Sequence, residues 1–284
     1  AMHGVNSSPI VSDCVFESNE AQVGGSVYVY LGKSEFRRCQ FLDSQATQGG
    51  GLSVENSAAL FENCLFAGSH ATGSGGYYGG AIAVSYFDAE GKIGKTRFLN
   101  CTVVDNSSAG GAAGIELSPT PFGPVEVHNS ILWNNLARGV ANFESQLKGN
   151  GIGIRHSMVN GISDFGGNIA SPPDFVAPSQ NDYRLTACSF GINVGDNAAI
   201  PLPSLDLAGN PRLFDGLAET DVVDMGAYEF ASEVPANRLV LNTSPVSRPV
   251  QEGANATFLV AAVGDELSYQ WQGDDKGNGV FSDL

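Results

Sequence analysis

Few side chains in this sequence could carry chemistry, and most of them fall at recurring positions. Glu55 and Glu116 stand in short apolar segments, Leu52-Ser-Val-Glu55 and Ile115-Glu116-Leu117. Hydrolysis of a glycosidic bond requires two carboxylates roughly 5–9.5 Å apart, so these two are the catalytic candidates if the protein is an enzyme. Arg37, Arg38, Arg97 and Arg155 form a basic row. A lyase of acidic sugars uses such a base beside carboxylates that hold calcium, and the repeat places no Asp/Glu cluster next to the row. Tyr28, Tyr30, Tyr77, Tyr78, Tyr86 and Phe87 offer a different chemistry: ring faces suited to the apolar faces of neutral sugars.

The remaining candidates are weaker. The histidines at 3, 70, 128 and 156 are scattered. His128 and His156 are 28 positions apart (156−128), close enough to one repeat for a zinc pair, although solvated surface histidines are the simpler reading. Asp274-Asp-Lys-Gly-Asn-Gly279 carries oxygen ligands of the kind calcium takes, but it reads first as a hairpin turn. Calcium is therefore the one cofactor with any footing, and no metal site is assigned. There is no Cys-x-x-Cys, His-Glu-x-x-His, Gly-x-Ser-x-Gly, phosphate loop or dinucleotide fingerprint.

Composition narrows the partners. The chain has 284 residues and a formal net charge of −16. Nucleic acid needs a basic footprint, so it is excluded as a partner, and acidic polysaccharides are disfavoured unless a bound cation mediates. Charged residues are 15% and hydrophobic residues 42%, too apolar a mixture for a disordered chain. No apolar run is long enough to insert in a bilayer. No signal peptide is visible, and the opening Ala-Met reads as a trimmed end.

An internal repeat supplies the elements that must position these residues. The unit is apolar-x-x-Cys-x-apolar, then Asn or Ser, then Gly-Gly and an alternating apolar run. It recurs at Val11–Val29, Phe36–Val54, Phe61–Val84 and Phe98–Leu117, and more loosely from Val127 and Ile154. The cysteine spacings are 25 (39−14), 25 (64−39) and 37 (101−64). Two insertions, 5 residues between Ser69 and Gly79 and 7 between Val84 and Phe98, account for the 12 extra. Segments of three to five residues with period two suit strands rather than helices.

Three such strands in about 25 residues, stacking like on like, predict an all-β fold: a right-handed parallel β-helix over 1–170. Phe36, Phe61 and Phe98 should stack inward on strand one. Cys39 with Phe41, Cys64 with Phe66 and Cys101 with Val103 should do so on strand two, and Leu52 with Val54, Ile82 with Val84 and Ile115 with Leu117 on strand three. The cysteines are then reduced, buried and apolar in role. Asn63, Asn100 and Asn129 mark the corner between strands one and two, where their amides predict a ladder along the stack.

The Phe-x-x-Asn and Gly-Gly-Ala-Ile elements, as in Phe16-Glu-Ser-Asn19 and Gly79-Gly-Ala-Ile82, resemble the repeats of polymorphic outer-membrane proteins, which are surface adhesins. The order Pro173-Asp-Phe-Val176, Asp182-Tyr-Arg-Leu185, Cys188-Ser-Phe-Gly-Ile-Asn-Val-Gly195, Asp206-Leu-Ala-Gly-Asn-Pro-Arg212 and Val223-Asp-Met-Gly-Ala-Tyr-Glu-Phe230 is similar to the C-terminal end of secreted bacterial β-helix proteins of the choice-of-anchor Q type. That resemblance spans about residues 1–230. It implies an extracellular or bacterial cell-surface protein whose activity the family leaves unassigned. Cys188-Ser-Phe departs from that family's more usual Ser-Pro.

Residues 171–230 read as the last coil and a C-terminal cap over exposed strand edges, with Arg212 paired to Asp224 or Glu229. Residues 231–237 are a linker. Residues 238–284 resemble the first strands of an immunoglobulin-like domain, with Trp271 as the buried tryptophan. Only 47 residues (284−238+1) are present against the roughly 100 such a domain needs, so the domain is partial.

Two surfaces follow. Loops 70–78 and 85–95 should wall a shallow groove floored by Ser53, Ala83 and Ser85. Tyr28, Tyr30, Glu55, Tyr77, Tyr78, Tyr86, Phe87 and Glu116 would be its ligand-binding residues, although the same aromatics would also serve to tuck the loops onto the column. The outward strand-two positions Val15, Leu42, Leu65, Val104, Ile131, Trp133 and Met158 form an apolar face that needs cover from a loop, the 231–250 tail or a protein partner. The expected function is non-catalytic binding of a glycan or another surface. The alternatives are a polysaccharide lyase or glycoside hydrolase, and a structural stalk.

Overall fold

The computed structural model describes residues 1–75, 78–87, 94–118, 125–162, 165–201, 204–213 and 221–230, together with four short strands beyond them. The chain divides into two units, Ala1–Ala231 and Ser232–Leu284. The first is a parallel β-solenoid of about five turns. Sheet one stacks Ile10–Ser12, Glu35–Arg37, Leu60–Glu62, Thr96–Leu99, Val125–His128 and Ile152–Arg155. Sheet two stacks Val15–Glu17, Gln40–Leu42, Leu65–Ala67, Thr102–Val104, Ile131–Trp133 and Met158–Val159. Sheet three stacks Met2–Val5, Val27–Tyr30, Leu52–Glu55, Ile82–Ser85, Ile115–Leu117 and Leu147–Lys148.

The register matches the repeat. Phe36, Phe61 and Phe98 are successive partners, as are Phe41, Phe66 and Val103, and Leu52, Ile82 and Ile115. The rings lie parallel at 5.1 Å (Phe36–Phe61), 5.0 Å (Phe61–Phe98) and 4.5 Å (Phe41–Phe66). That spacing follows from the strand separation of about 4.8 Å, so each stacked Phe offers the next a full ring face. The cysteine column is free and buried from Cys39 to Cys101. Its thiols point at main-chain oxygens of the coil before, Cys64 to Phe36 and Cys101 to Phe61, both at 3.4 Å. Ser130 and Ser157 continue the column with hydroxyls.

Each coil also carries a fourth short strand, which the three-strand expectation lacks: Glu20–Val23, Gln45–Gln48, His70–Ala71, Ser107–Ser108 and Leu136–Ala137. Its buried residues are small, Ala46, Ala71 and Ser108. The Gly-Gly pairs follow it. A Cβ on Gly25 would lie 2.1 Å from the Gly50 carbonyl oxygen, and one on Gly50 would lie 2.4 Å from that of Gly80. Coil-to-coil backbone approach therefore excludes any side chain there.

The polar ladder runs at a different corner from the one expected. Ser69 N–H donates to Asn106 Oδ1 (2.9 Å), Asn106 Nδ2 to Asn135 Oδ1 (2.8 Å), and Asn135 Nδ2 to Gln146 Oε1 (2.7 Å). Gln146 reaches it from the one-turn helix Phe143–Gln146, closed by a capping box from Asn142 and Ser145. Asn63, Asn100 and Asn129 do hold the left-handed corner, with φ of 55°, 49° and 50°. Among themselves they make one long contact, Asn129 Nδ2 to Asn100 Oδ1 at 3.4 Å. Their amides turn instead to residues far along the chain.

Those residues belong to the segment after the last coil, which lies along the solenoid's flank. A hairpin of Phe175–Ala177 and Asp182–Leu185 begins it, and Tyr183 donates to Asp105 Oδ2 at 2.8 Å. Asn129 bonds Asp196 in both directions (2.8 and 3.0 Å), Asn100 donates to the Asp224 carbonyl (2.9 Å), and Asn63 accepts from Arg212. Arg212 is fully buried and pairs with Glu229 at 2.9 Å. Under this segment Ile131 meets Gly226, and Met158 meets Gly191. Leu65, Val104, Ile131 and Met158 on the apolar outer face of sheet two are buried, whereas Val15 is 56% exposed. The chain itself thus covers most of that face.

In the second unit Val240–Thr243 pairs antiparallel with Ala261–Val263, and Gln272–Gly273 with Ser282–Asp283. Trp271 and the Asp274–Gly279 run lie outside the described residues, as does most of the 231–250 tail. Among the described residues no helix is long and apolar enough to cross a membrane.

Candidate functional site

Sheet three gathers the candidate residues because its outward positions alternate with the core-facing Val27, Val29, Leu52 and Val54. In register, Tyr28 partners Ser53, Ala83 follows, and Glu116 lies beyond it; on the second outward row Tyr30 partners Glu55, which partners Ser85. Tyr28 and Tyr30 are half-buried with near-parallel rings, 6.5 Å apart at 7°. His3 meets Tyr28 edge-on at 5.0 Å. The Tyr28 hydroxyl donates to Glu55 Oε2 at 2.8 Å. Burial, and then that carboxylate, hold the phenol well above the ordinary tyrosine range. A shallow recess of about 400 Å³, lined by Met2, His3, Gln22, Val23 and Tyr28, opens beside the rings.

The other expected residues are placed differently. Tyr86 is fully buried in the core and its hydroxyl meets Thr96 Oγ1 at 2.8 Å, so it is not a surface ring. The polar partner makes its burial tolerable, and period two after Ile82 and Val84 turns the ring inward. Glu116 is 1% exposed. Its Oε2 accepts the Ala112 N–H, and burial pushes its carboxyl above the usual range. It is therefore closed to a surface ligand. It also stands two strand spacings, about 10 Å, and one outward row away from Glu55, so the two do not form an acid pair. Ser53, Ala83 and Ser85 are buried as well, so the expected groove floor is closed.

Tyr78 is half-buried and its ring lies over Gly73 and Gly75. Phe87 is 62% exposed, and its N–H donates to Asn56 Oδ1 at 2.6 Å beside a second recess lined by Leu31, Lys33, Asn56 and Ala58. Tyr77 and residues 88–93 lie outside the described residues.

Three members of the arginine row have carboxylate partners. Arg37 meets Glu35 (2.8 Å), Arg38 forks onto Asp13 (2.7 and 2.8 Å), and Arg97 meets Glu126 (3.4 Å), which Lys95 also contacts. The Arg38 and Arg97 pairs join neighbouring coils, and the Arg37 pair lies within one strand. His128 stands beside Arg155 in register, while His156 occupies the corner, 3.8 Å from Asp196. Among the described residues no group of three or more His, Cys, Asp and Glu is arranged to hold a metal.

The fold and this face define a parallel β-solenoid with an aromatic and acidic patch on sheet three. No family model matches the chain, and neither a curated protein nor a solved structure matches it.

Proposed function

We propose that this chain is an exported protein, secreted or held at a bacterial cell surface, that binds glycan through the sheet-three face without turning it over. The observation that carries the reading is the Tyr28–Tyr30 pair with Glu55 against it. Two rings fixed on adjacent outward positions of one strand present apolar area at little entropic cost, and a hydrogen-bonding carboxylate beside them suits sugar hydroxyls. Phe87 is a further exposed ring, bonded through its N–H to Asn56, the residue after Glu55. The export setting, the choice-of-anchor Q likeness and the immunoglobulin-like reading of the second unit rest on the resemblances in the sequence. A protein partner has little of the sheet-two face left to use beyond the end near Val15.

A hydrolase is the second reading, with Glu116 as the other sheet-three carboxylate, whose carboxyl burial pushes above the usual range. Its burial and its separation from Glu55 weigh against it. A glycan array run beside assays for reducing sugar and unsaturated product separates the two readings. Binding without product, lost in a Tyr28→Ala/Tyr30→Ala variant whose melt is unchanged, is the expected result. Product release would overturn the non-catalytic reading.

A further inference from the structure

Glu55 gives the proposed glycan face a charge preference. Its register partners are Tyr30 and Ser85, and the adjoining outward row holds Tyr28, Ser53 and Ala83. Among the described residues its one hydrogen-bond donor is the Tyr28 hydroxyl, and it stands in no ion pair. This sets it apart from Glu35, Glu126, Asp13 and Asp182, each of which faces an arginine or lysine. A carboxylate that no described lysine or arginine pairs with thus lies against two half-buried rings in a chain of net charge −16.

Ring faces attract cations through their quadrupole, most strongly where water is partly excluded. A carboxylate binds an ammonium by a charge-assisted hydrogen bond stronger than the one it makes to a hydroxyl. The net charge draws cations towards the surface and repels acidic sugars.

We propose that the Tyr28–Tyr30–Glu55 site prefers glycans bearing a free, protonated amine, such as glucosamine oligomers, over neutral or N-acetylated ones. The amine meets Glu55 while the sugar face lies on the rings. An N-acetyl group removes the charge and keeps the ring contact. An acidic sugar places its carboxylate against Glu55. This inference rests on the glycan-binding reading above and names the ligand class of that same site.

The test is a calorimetric titration with three oligosaccharides of equal length: glucosamine, fully N-acetylated glucosamine and β-linked glucose. It is run at about pH 6, where the amine is protonated. The glucosamine oligomer should bind at least about tenfold more tightly than the other two. Glu55→Gln, whose amide oxygen still accepts from Tyr28, should bring the three within about twofold, weakening the glucosamine oligomer far more than the neutral sugar. Equal affinities in the wild type overturn the charge preference and leave glycan binding standing. A preference that survives Glu55→Gln assigns it to the net charge of the chain and overturns the site. Absence of binding by all three, or binding unaffected by Tyr28→Ala/Tyr30→Ala, overturns the glycan reading and this inference together.

Discussion

Arg212 donates to Asn63 Oδ1 from both Nε (2.9 Å) and Nη2 (2.6 Å), joining residues 149 positions apart. Its Nη1 meets Glu229 and its Nη2 also meets the Gly226 carbonyl. Ser204 bridges the same corner to Glu62 at 2.9 Å. One buried guanidinium therefore fixes the flank segment to the third coil through side chain and main chain at once.

Removing it strips Asn63, Glu229 and the Gly226 carbonyl of a shared buried donor. Each buried acceptor left unpaired costs about 1–3 kcal/mol, so Arg212→Ala should cost at least about 3 kcal/mol. Limited proteolysis should then cut within 186–230 faster than in the wild type. Unchanged cleavage and an unchanged melt would show that the apolar contacts hold the segment without the arginine.

The same network makes stability fall with rising pH. Burial and the Asp224 carboxylate push Glu229 up to about 8, against the pull of Arg212. In an unfolded chain its value is about 4.3. Between those values the folded state binds the extra proton, so this contribution is complete below the lower value and lost as pH passes the upper one. Tm should drop between about pH 5 and 8.5, and Glu229→Gln should flatten that slope. Parallel profiles for the two proteins would remove Glu229 as the source.

Phe61 is the central ring of a buried stack, with Phe36 on one side and Phe98 on the other. Phe61→Ala should cost about 3–5 kcal/mol in a denaturant melt. A loss under about 1 kcal/mol would be incompatible with that packing.

Of the five thiols, Cys188 is exposed and Cys14 half-buried, while Cys39, Cys64 and Cys101 are buried. The neighbouring Cys64 and burial push the Cys39 thiol up, and burial does the same for Cys64. Thiolate is the reactive form, so a thiol reagent should label Cys188 quickly, Cys14 more slowly, and the other three only on unfolding. Labelling of more than two thiols in the native protein would contradict a closed column.

The column was legible in the sequence because its rungs are large. Phe36, Phe61 and Phe98 recur with enough contrast to fix register across two insertions. The fourth sheet was not, because Ala21, Ala46 and Ala71 in strands of two to four residues give no period-two contrast. The amides of Asn63, Asn100 and Asn129 were correctly placed at a corner, but their partners Arg212, Asp224 and Asp196 lie 149, 124 and 67 positions away. No local spacing encodes such a choice. Tyr86 continues the inward alternation of Ile82 and Val84, and reading 85–95 as one loop hides it. Tyr28, Tyr30 and Glu55 lie in uninterrupted strands, and there the alternation placed them on one face.

The flank segment also bears on how the chain acquires its structure. A solenoid left to itself melts and grows coil by coil, since each turn touches only its neighbours. A strap crossing from Glu62 to His156 removes that independence: coils it touches must all be in place before it can dock, and none can fray while it stays docked. The segment made after the coils is thus the one that turns a row of local units into a single cooperative body, at the kinetic cost of closing loops well over a hundred residues long.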